Sequence, residues 1–455
     1  MQNQQGRDSL FAPMLTVREV YSDNVTLAPK GEEKNDFITQ VIPGFTVCDS
    51  GPRWRGQLHY ELQGLYYAKH QSLNHIYNNA QGSGTAELFR NHLFFDASTF
   101  YGQQTIDPTQ TFSTDNTLAT GNRTNTWSLN LSPYWRQSLG ALGLSTLRYR
   151  YGSVMYDTGR VPDSHSNTFS FDLVNPPTNT LWSWNAYVRS EQVDREDRDR
   201  TTYFDTASLD LGYQVFPHIR LLAEGGVEDD YRPDGSTDRW GSEFWNAGFL
   251  WAGERTSLEA RYGHRFFGPS YFAQLRHQAA RLTTSLSYTE EPQVVSRLGI
   301  DNPNAVLLPN QPPGLIFEPS DETLTPLTND EVFVRKRFAG NATYQTGRST
   351  ISLDTFLERR EFQVSDNDER VRGFTVYWRW QWLPRTALIP RWSWEKIDFQ
   401  SDQTDYLSRQ QISLAHLISP TAQAAVTLRH QWRNSTRAES EYTENAVILE
   451  FTKIF

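Results

Sequence analysis

Strict alternation of apolar and polar residues over long segments constrains the fold of this chain most. From position 54 to 66, one face carries apolar, aromatic and glycine residues, and the other is almost entirely polar. A period of two residues is the pattern of a half-buried β-strand. Strands in globular proteins average about five or six residues, whereas a strand that crosses a bilayer obliquely needs roughly 9–11. The segment is therefore long enough to cross a membrane.

The same alternation recurs along the chain, at 127–136, 202–215, 374–382 and 422–433. Aromatic residues make up 13% of the sequence, with 14 Trp, 21 Tyr and 26 Phe, and they cluster towards the ends of these segments. Membrane-spanning β-barrels use aromatic residues in this way, as girdles at the two lipid–water boundaries. No run of 18 apolar residues and no sustained period of 3.6 residues is present, so transmembrane helices are not expected.

The connections between the segments alternate in length. Short turns are predicted at 49–52, 90–91, 139–143, 175–179, 217, 253–254, 347–348, 383–385 and 419–420. Longer polar loops are predicted near 24–35, 105–123, 192–200, 229–238, 291–330, 364–369 and 435–440. Short turns at one end and long loops at the other are typical of outer-membrane barrels.

These patterns predict an all-β fold, a transmembrane antiparallel up-and-down β-barrel of about 22 strands, with 18 and 20 as alternatives. An even number places both termini in the periplasm. We assign residues 1–12 to an N-terminal periplasmic segment and 13–455 to a single barrel. The weakest pattern lies at 255–290, where residues 271–277 form either a short strand or part of a loop. A soluble β-sandwich would alternate too, but its strands would be shorter and its loops would not sort by length.

The alternation assigns each side chain to the lumen or to lipid. The predicted lumen-lining residues are Arg55, His59, Glu61, Arg148, Arg150, Asp210, Asp354, Glu358, Arg360, Arg379, Arg429 and Arg433. The predicted lipid-facing or girdle residues are Trp54, Tyr60, Trp127, Trp378 and Trp380. Such charges can guide a polar solute, but a polar lumen needs charged groups simply to be wetted and to hold its wall by cross-strand ion pairs, so for any single residue the structural interpretation is favoured.

Both ends of the chain bear on its location. The N-terminus has no basic segment followed by an apolar core, so we expect that a signal peptide existed and is missing from this sequence. The last strand ends in Phe451 and Phe455, which resembles the signal that the outer-membrane assembly machinery reads. The expected location is the bacterial outer membrane, with outer-membrane lipids, lipopolysaccharide and that machinery as partners.

Enzymatic and nucleic-acid functions have little support. The net charge of -10 argues against nucleic acid, because a phosphate-binding face should be basic. No nucleophile, zinc or phosphate-loop motif is present, and the single cysteine, Cys48, can form no internal disulfide. We therefore expect no catalytic residues, no metal and no cofactor. We interpret the charged run 194–200 as a solvated loop, with a site for divalent ions or lipopolysaccharide as the alternative. The loop 291–330 is either a plug in the pore or an external loop.

Several segments resemble a known family. They are Tyr21–Val25, Asp36–Phe45, Tyr60–Ala68, Leu73–His75, Tyr262–Tyr271, Glu331–Arg337 and Glu358–Glu361. In this order they resemble the outer-membrane barrels of PEP-CTERM/exosortase and exopolysaccharide gene clusters. The resemblance implies a pore or conduit for exopolysaccharide export or a related envelope-secretion system, with polysaccharide and periplasmic export components as partners. The alternatives are a general or substrate-specific diffusion porin and a plugged structural scaffold.

Overall fold

The computed structural model describes residues 8–175, 181–197, 201–232, 236–301, 327–329, 331–365 and 367–455. Nearly all of the regular structure is antiparallel β-strand. The strands are β1 Asp8–Ser22, β2 Asp36–Gly51, β3 Trp54–Tyr67, β4 His75–Phe89, β5 Leu93–Thr105, β6 Arg123–Ser138, β7 Leu144–Tyr156, β8 Ser164–Val174, β9 Trp182–Arg195, β10 Thr202–Tyr203, β11 Thr206–Phe216, β12 Ile219–Tyr231, β13 Thr237–Ala252, β14 Thr256–Arg265, β15 Gly268–Gln278, β16 Leu282–Gln293, β17 Phe333–Gln345, β18 Ser349–Phe362, β19 Asp368–Leu383, β20 Thr386–Asp398, β21 Thr404–Ser419, β22 Ala422–Ser435 and β23 Tyr442–Ile454.

The sheet closes on itself. β1 pairs with β2 on one side and with β23 on the other, in register from Met14 opposite Ile454 to Ser22 opposite Ala446. On the inner face of this seam the Arg18 Nε donates to Glu450 Oε2 at 2.9 Å. The two-residue β10 extends the edge of β9, so the wall has 22 long strands. The predicted closed antiparallel barrel of 22 strands is confirmed.

The two ends of the barrel differ, and we call them the turn end and the loop end. The turn end holds the start of β1, the end of β23 and the short connections, such as Pro52–Arg53 between β2 and β3. The loop end holds the longer segments 23–35 and 106–122 and the described part of the connection between β16 and β17. One connection departs from the predicted sorting, because β14 and β15 join through only Phe266 and Phe267 at the loop end.

Several strand boundaries in the structure differ from the predicted ones. Residues 8–12, which we assigned to a periplasmic segment, lie in β1 and pair with β2. β9 extends to Arg195 and β12 to Tyr231, so the loops predicted at 192–200 and 229–238 are shorter than expected. The uncertain residues 271–277 form part of β15, which pairs with β14 from Gly268 to His277 and with β16 from Ala273 to Gln278. The hydrogen-bonded register of these strands settles what alternation alone left open.

The side chains sort by face as the alternation predicts. On β6, Trp127 is 44% exposed on the outer surface, whereas its neighbour Ser128 is 1% exposed on the inner one. Trp378, Trp380 and Trp382 follow one another on the outer face of β19 with ring centroids 5.9 and 6.5 Å apart. The outer surface is therefore apolar and aromatic, and the polar residues line the lumen.

The described helices are short. The α-helix α1, Val295–Asp301, follows β16 at the loop end, and the 3₁₀ turns have three residues each. Among the described residues, no helix has the length and apolar character needed to span a membrane.

Candidate functional site

The twelve predicted lumen-lining residues all lie at inward-facing positions. They fall into separate groups on the wall, because the barrel distributes them over β3, β7, β11, β18, β19 and β22. Arg429 and Arg433 lie near the loop end of β22, whereas Arg55, Arg148 and Arg150 lie together near the turn end. The structure therefore places the predicted charges on one surface but does not gather them into one site.

Near the loop end, Arg429 and Arg433 hold a loop inside the barrel. We call residues 106–122, between β5 and β6, the inner loop. Arg429 pairs with Asp115 of this loop, and its Nη2 donates to Glu444 Oε1 of β23 at 2.8 Å. Burial alone would raise the pKa of Asp115, but attraction from Arg429 and a hydrogen bond from the Thr117 backbone outweigh it, so this pKa lies below its ordinary 3.8. The ion pair is thus charged at neutral pH.

Arg433 fixes the backbone of the inner loop. Its guanidinium is fully buried, pairs with Asp405 and donates to the carbonyls of Pro108 and Thr109, both at 3.1 Å. It also donates to the carbonyl of Gln110. A guanidinium with several donors in a rigid plane is suited to this role, because it can contact several acceptors at once.

The inner loop contacts the wall on its other side as well. The Tyr67 hydroxyl donates to the Thr117 carbonyl at 3.0 Å, and Asn116 Nδ2 donates to Gln63 Oε1 at 2.8 Å. Leu118 is fully buried beside Leu27 of the segment 23–35, which connects β1 to β2. The inner loop leaves the wall at β5 and reaches β22, six strands away, so it lies across the inner face rather than outside the barrel.

A second segment enters the lumen from the opposite side. α1 contacts β6 to β9, and Asn130 Nδ2 of β6 donates to the carbonyl of Ile300 at 2.9 Å. Because α1 follows β16, the chain crosses the lumen to reach these strands. Arg297 of α1 pairs with Glu191 at 3.0 Å and stacks over the Phe204 ring. The first part of the predicted loop 291–330 is therefore inside the barrel, while residues 302–326 and 330 lie outside the described residues.

Apolar side chains pack together inside the lumen at the loop end. This mouth cluster unites the ends of strands from opposite parts of the wall with α1 and the neighbouring loops. Its buried members are Ile106, Val161, Val295, Leu298, Leu327, Phe333 and Phe362. Leu327 also donates its backbone N–H to the Ile106 carbonyl at 2.9 Å, which ties the two entering segments together. The cluster joins β5 to β17 and β18, so it bridges the opening rather than lining one side of it.

The half of the lumen nearer the turn end contains a polar cavity of about 950 Å³. It lies inside β1 to β7, below the inner loop and α1. Its lining combines basic, acidic, amide and hydroxyl groups, including Arg55, Gln57, Asp96, Arg148 and Arg150. Cys48 also lines it, so the thiol faces the lumen rather than lipid.

An aromatic and arginine stack borders this cavity. Phe94 and Tyr134 stack with ring centroids 5.1 Å apart and ring planes 14° from parallel. Arg148 lies over Tyr134 at 4.0 Å from the ring centroid, and Arg136 lies over both rings at 5.6 and 5.7 Å. Asp96 accepts from Arg148 Nη1 at 3.0 Å and fixes its plane. The stack places apolar aromatic rings beside the hydrogen-bond donors of the two arginine side chains. The sequence signal for it was weak, because Phe94 and Tyr134 face inwards in strands where most other aromatics, such as Tyr101, Trp127 and Trp135, face outwards.

Five of the other predicted charged residues pair with charged neighbours. Glu358 of β18 accepts from Arg335, Arg337 and Arg360, the first two on the neighbouring β17. Asp210 of β11 accepts from Arg261 Nη2 at 3.0 Å. His59 lies 3.2 Å from Glu61. These groups satisfy one another, which is how a polar lumen holds its shape.

The described residues contain no group of three or more His, Cys, Asp or Glu side chains placed to hold a metal ion. The charged run 194–200 gives no such site in its described part, 194–197, where Arg195 pairs with Asp197 at 3.0 Å.

Solved structures resemble the fold over nearly the whole chain. The FrpB iron transporter from Neisseria meningitidis (F5-1 variant) superposes with a TM-score of 0.56 at 10% identity, over 98% of this chain and 83% of that one. The siderophore receptor PirA gives 0.51 at 9% identity for the Pseudomonas aeruginosa protein and 0.52 at 8% for that of Acinetobacter baumannii. These two matches cover 98% and 97% of this chain and 80% of each receptor.

Sequence comparison adds nothing further, because no family model and no curated protein matches the chain. The structural likeness at such low identity shows the fold. This chain is a β-barrel of the outer-membrane kind. In such barrels the short turns face the periplasm and the long loops face the outside. The polar cavity is then periplasmic, and the mouth cluster is extracellular.

Proposed function

We propose that this barrel is an outer-membrane conduit for a polar, sugar-like polymer, closed at its extracellular end by the inner loop and α1, and that it serves exopolysaccharide export. The observation that carries the proposal is the contrast between the two halves of the lumen. The periplasmic half holds a cavity of about 950 Å³ with mixed polar lining, and the extracellular half contains the apolar mouth cluster. A conduit loaded from the periplasm needs this arrangement.

The stack beside the cavity fits a sugar. The faces of aromatic rings pack against the C–H faces of sugar rings, while neighbouring arginine, amide and hydroxyl groups can bond their hydroxyl or carboxylate groups. Phe94 supplies the ring, with Tyr134 stacked behind it, and Arg136 and Arg148 supply the donors. A wall of 22 strands encloses more space than its own side chains can fill, which leaves room for a polymer once the inner segments move.

The resemblance to exopolysaccharide-cluster barrels supports the direction of transport. It is a resemblance of short segments, so it supports the proposal without replacing a direct test. The same polar cavity is also consistent with a diffusion porin, which is the second candidate. A scaffold that never opens is the third, and the ion pairs that hold the inner loop favour it.

A single deletion strain distinguishes these three candidates. The gene is deleted, and surface polysaccharide and uptake of small polar solutes are measured in the same cells. Loss of secreted polymer with unchanged uptake is the expected result. Reduced uptake with normal polymer would identify a porin instead, and a weakened envelope with neither change would identify a scaffold.

Complementation then tests the stack. Tyr134→Ala removes the ring that contacts both Phe94 and Arg148, and Tyr149→Ala, on the outer face of the neighbouring strand and 44% exposed, is the matched control. We expect Tyr134→Ala to restore the barrel but only part of the polymer, and Tyr149→Ala to restore both. Equal secretion from both variants would exclude the stack as the sugar contact.

A further inference from the structure

Basic side chains on the outer surface of the wall are concentrated on four consecutive strands. Near the extracellular ends of β17 to β20, five outward positions carry Lys or Arg. They are Lys336, Arg359, Arg370, Arg372 and Lys396. We call these five residues the basic patch.

Elsewhere on the described strands, outward positions in the extracellular half carry apolar, aromatic, amide, hydroxyl, histidine or acidic side chains. Two arginines are exceptions, and both turn to neighbouring loops. Arg123 donates to the Ser113 carbonyl of the inner loop, and Arg239 donates to Asp205.

The register places like charges directly opposite one another. Lys336 faces Arg359, and Arg359 faces Arg370, along one hydrogen-bonded row across three strands. One step nearer the periplasm, Arg372 faces Lys396. Like charges directly opposite on one face of a sheet are destabilising. A chain with a net charge of -10 nevertheless places five cations together here, so the patch is stable only with anionic groups beside it.

Acidic neighbours neutralise part of the patch. Lys336 pairs with Glu361 at 2.8 Å, Arg359 with Asp368 at 2.5 Å and Lys396 with Asp398 at 2.7 Å. Glu290 also lies on this face, opposite Lys336.

Two arginines keep their donors available. Arg370 is 62% exposed, with one carboxylate contact at 3.5 Å. Arg372 is exposed and has no carboxylate within 4.0 Å among the described residues. Asp398 lies opposite Arg370 in the register, but the exposed guanidinium groups of both arginines still carry donors that can reach an external anion.

The height of the patch identifies the layer in which it lies. Below Arg372, the outward residues of β19 are Phe374, Val376, Trp378, Trp380 and Trp382. At about 3.4 Å per residue and a tilt of about 40°, Arg372 lies roughly 26 Å above Trp382. The apolar band of such barrels is about 25 Å tall, so the patch lies just above it, among the headgroups of the outer leaflet.

We infer that the basic patch binds the phosphate groups of lipopolysaccharide in the outer leaflet. A charge on the lipid-facing wall is costly within the hydrocarbon and favourable only among headgroups of opposite sign. Arg370 and Arg372 bond the phosphates, because a guanidinium matches two phosphate oxygens at once. The acyl chains of the same lipid lie along the apolar surface of β18 and β19 below them, where Leu357 and Leu353 are exposed.

The test measures lipid bound to the purified, detergent-solubilised barrel. The probes are lipopolysaccharide, the same lipid after removal of its phosphates, and phosphatidylglycerol. The variant is R370Q/R372Q, and R160Q/R437Q, which removes two exposed charges from the extracellular loops, is the matched control. Heat-modifiable gel migration verifies that every variant is folded.

We expect R370Q/R372Q to weaken lipopolysaccharide binding at least about tenfold, equivalent to about 1.4 kcal/mol, and R160Q/R437Q to leave it unchanged. Dephosphorylated lipid should bind the wild-type barrel as weakly as intact lipid binds R370Q/R372Q. Equal binding by both variants would overturn the assignment. Phosphatidylglycerol binding as tightly as lipopolysaccharide would overturn it too, because the patch would then attract any anionic lipid.

Discussion

At the residue scale, the face on which a side chain lies decides the effect of a charge. On β18, Leu353 is 42% exposed on the outer surface, and its neighbour Ser352 faces the lumen, where its hydroxyl is 2.9 Å from that of Thr343. The backbone pairing around the two positions is the same. Differences between substitutions at these sites therefore report the solvent on each side of the wall.

Leu353→Arg should impair assembly, and Ser352→Arg should be milder. An arginine at a lipid-facing position costs roughly 2–4 kcal/mol near the bilayer midplane, whereas the polar lumen solvates it. The measurement is the free energy of unfolding of both variants in lipid vesicles with urea. Equal losses would show that the two faces have been interchanged.

Arg433 stabilises the inner loop more than it stabilises the wall. Arg433→Met removes the contacts to Asp405 and to three loop carbonyls and leaves a fully buried carboxylate unpaired, an effect of about 3–5 kcal/mol. The strand pairing is untouched, so we expect a folded barrel whose inner loop is cleaved faster by protease. Asp405→Leu combined with Arg433→Met should restore part of the protection, because no charge is then left buried. Unchanged cleavage in Arg433→Met would argue against this role.

At the element scale, the inner loop and α1 fill part of the extracellular half of the lumen. Both belong to loop segments, yet their contacts are with distant strands, and the pair Asp115–Arg429 joins positions 314 residues apart. Alternation predicted that Arg429 and Arg433 face inwards. It could not predict their partners, because a loop that folds back carries no periodic pattern and its contacts depend on closure of the whole barrel. The stack of Phe94 and Tyr134 was missed for a similar reason, since it forms only when β5 and β6 pair.

A charge introduced into the mouth cluster should disrupt its packing. Leu298→Asp places a carboxylate among apolar side chains, where burial of an unpaired charge is unfavourable. We expect higher single-channel conductance in planar bilayers, since α1 would leave its position. Val364→Asp is the control, because Val364 is 49% exposed in the loop after β18. A conductance that rises equally in both variants, or in neither, would show that the cluster does not close the pore.

The inner loop should not respond to mild acid. The pKa of Asp115 is lowered in the folded barrel, so its ion pair contributes stability above the ordinary value of 3.8 and loses it only as the pH falls through the lowered pKa. Conductance of the wild-type barrel should therefore be constant between about pH 8 and pH 5 at fixed ionic strength. An increase within this range would mean that another group controls the loop.

At the scale of the whole molecule, the fold was largely predictable from the sequence. Each strand needs only its own alternating pattern and a turn at its end, so long strands, lipid faces and strand number could be derived locally. Position 271–277 was ambiguous because β15 is short, at 11 residues, and its turn with β16 at 279–281 was not recognised. How the lumen is filled could not be derived, because it depends on contacts between loops and distant parts of the wall.

The C-terminal residue allows assembly to be separated from stability. The Phe455 ring is 70% exposed at the periplasmic end, and the link of this residue to β1 is its backbone N–H, which donates to the Pro13 carbonyl at 2.8 Å. Phe455→Ala keeps that hydrogen bond and removes an exposed ring, and such surface changes usually alter stability by no more than about 0.5 kcal/mol. If the residue serves as an assembly signal, the variant should reach the outer membrane in lower amounts while the protein refolded in detergent unfolds at the same urea concentration as wild type. Leu417→Ala, an exposed residue near the same end of β21, is the control and should leave cellular yield unchanged. A fall in both yield and stability for Phe455→Ala would assign the residue to the wall instead, and an unchanged yield would remove its role in assembly.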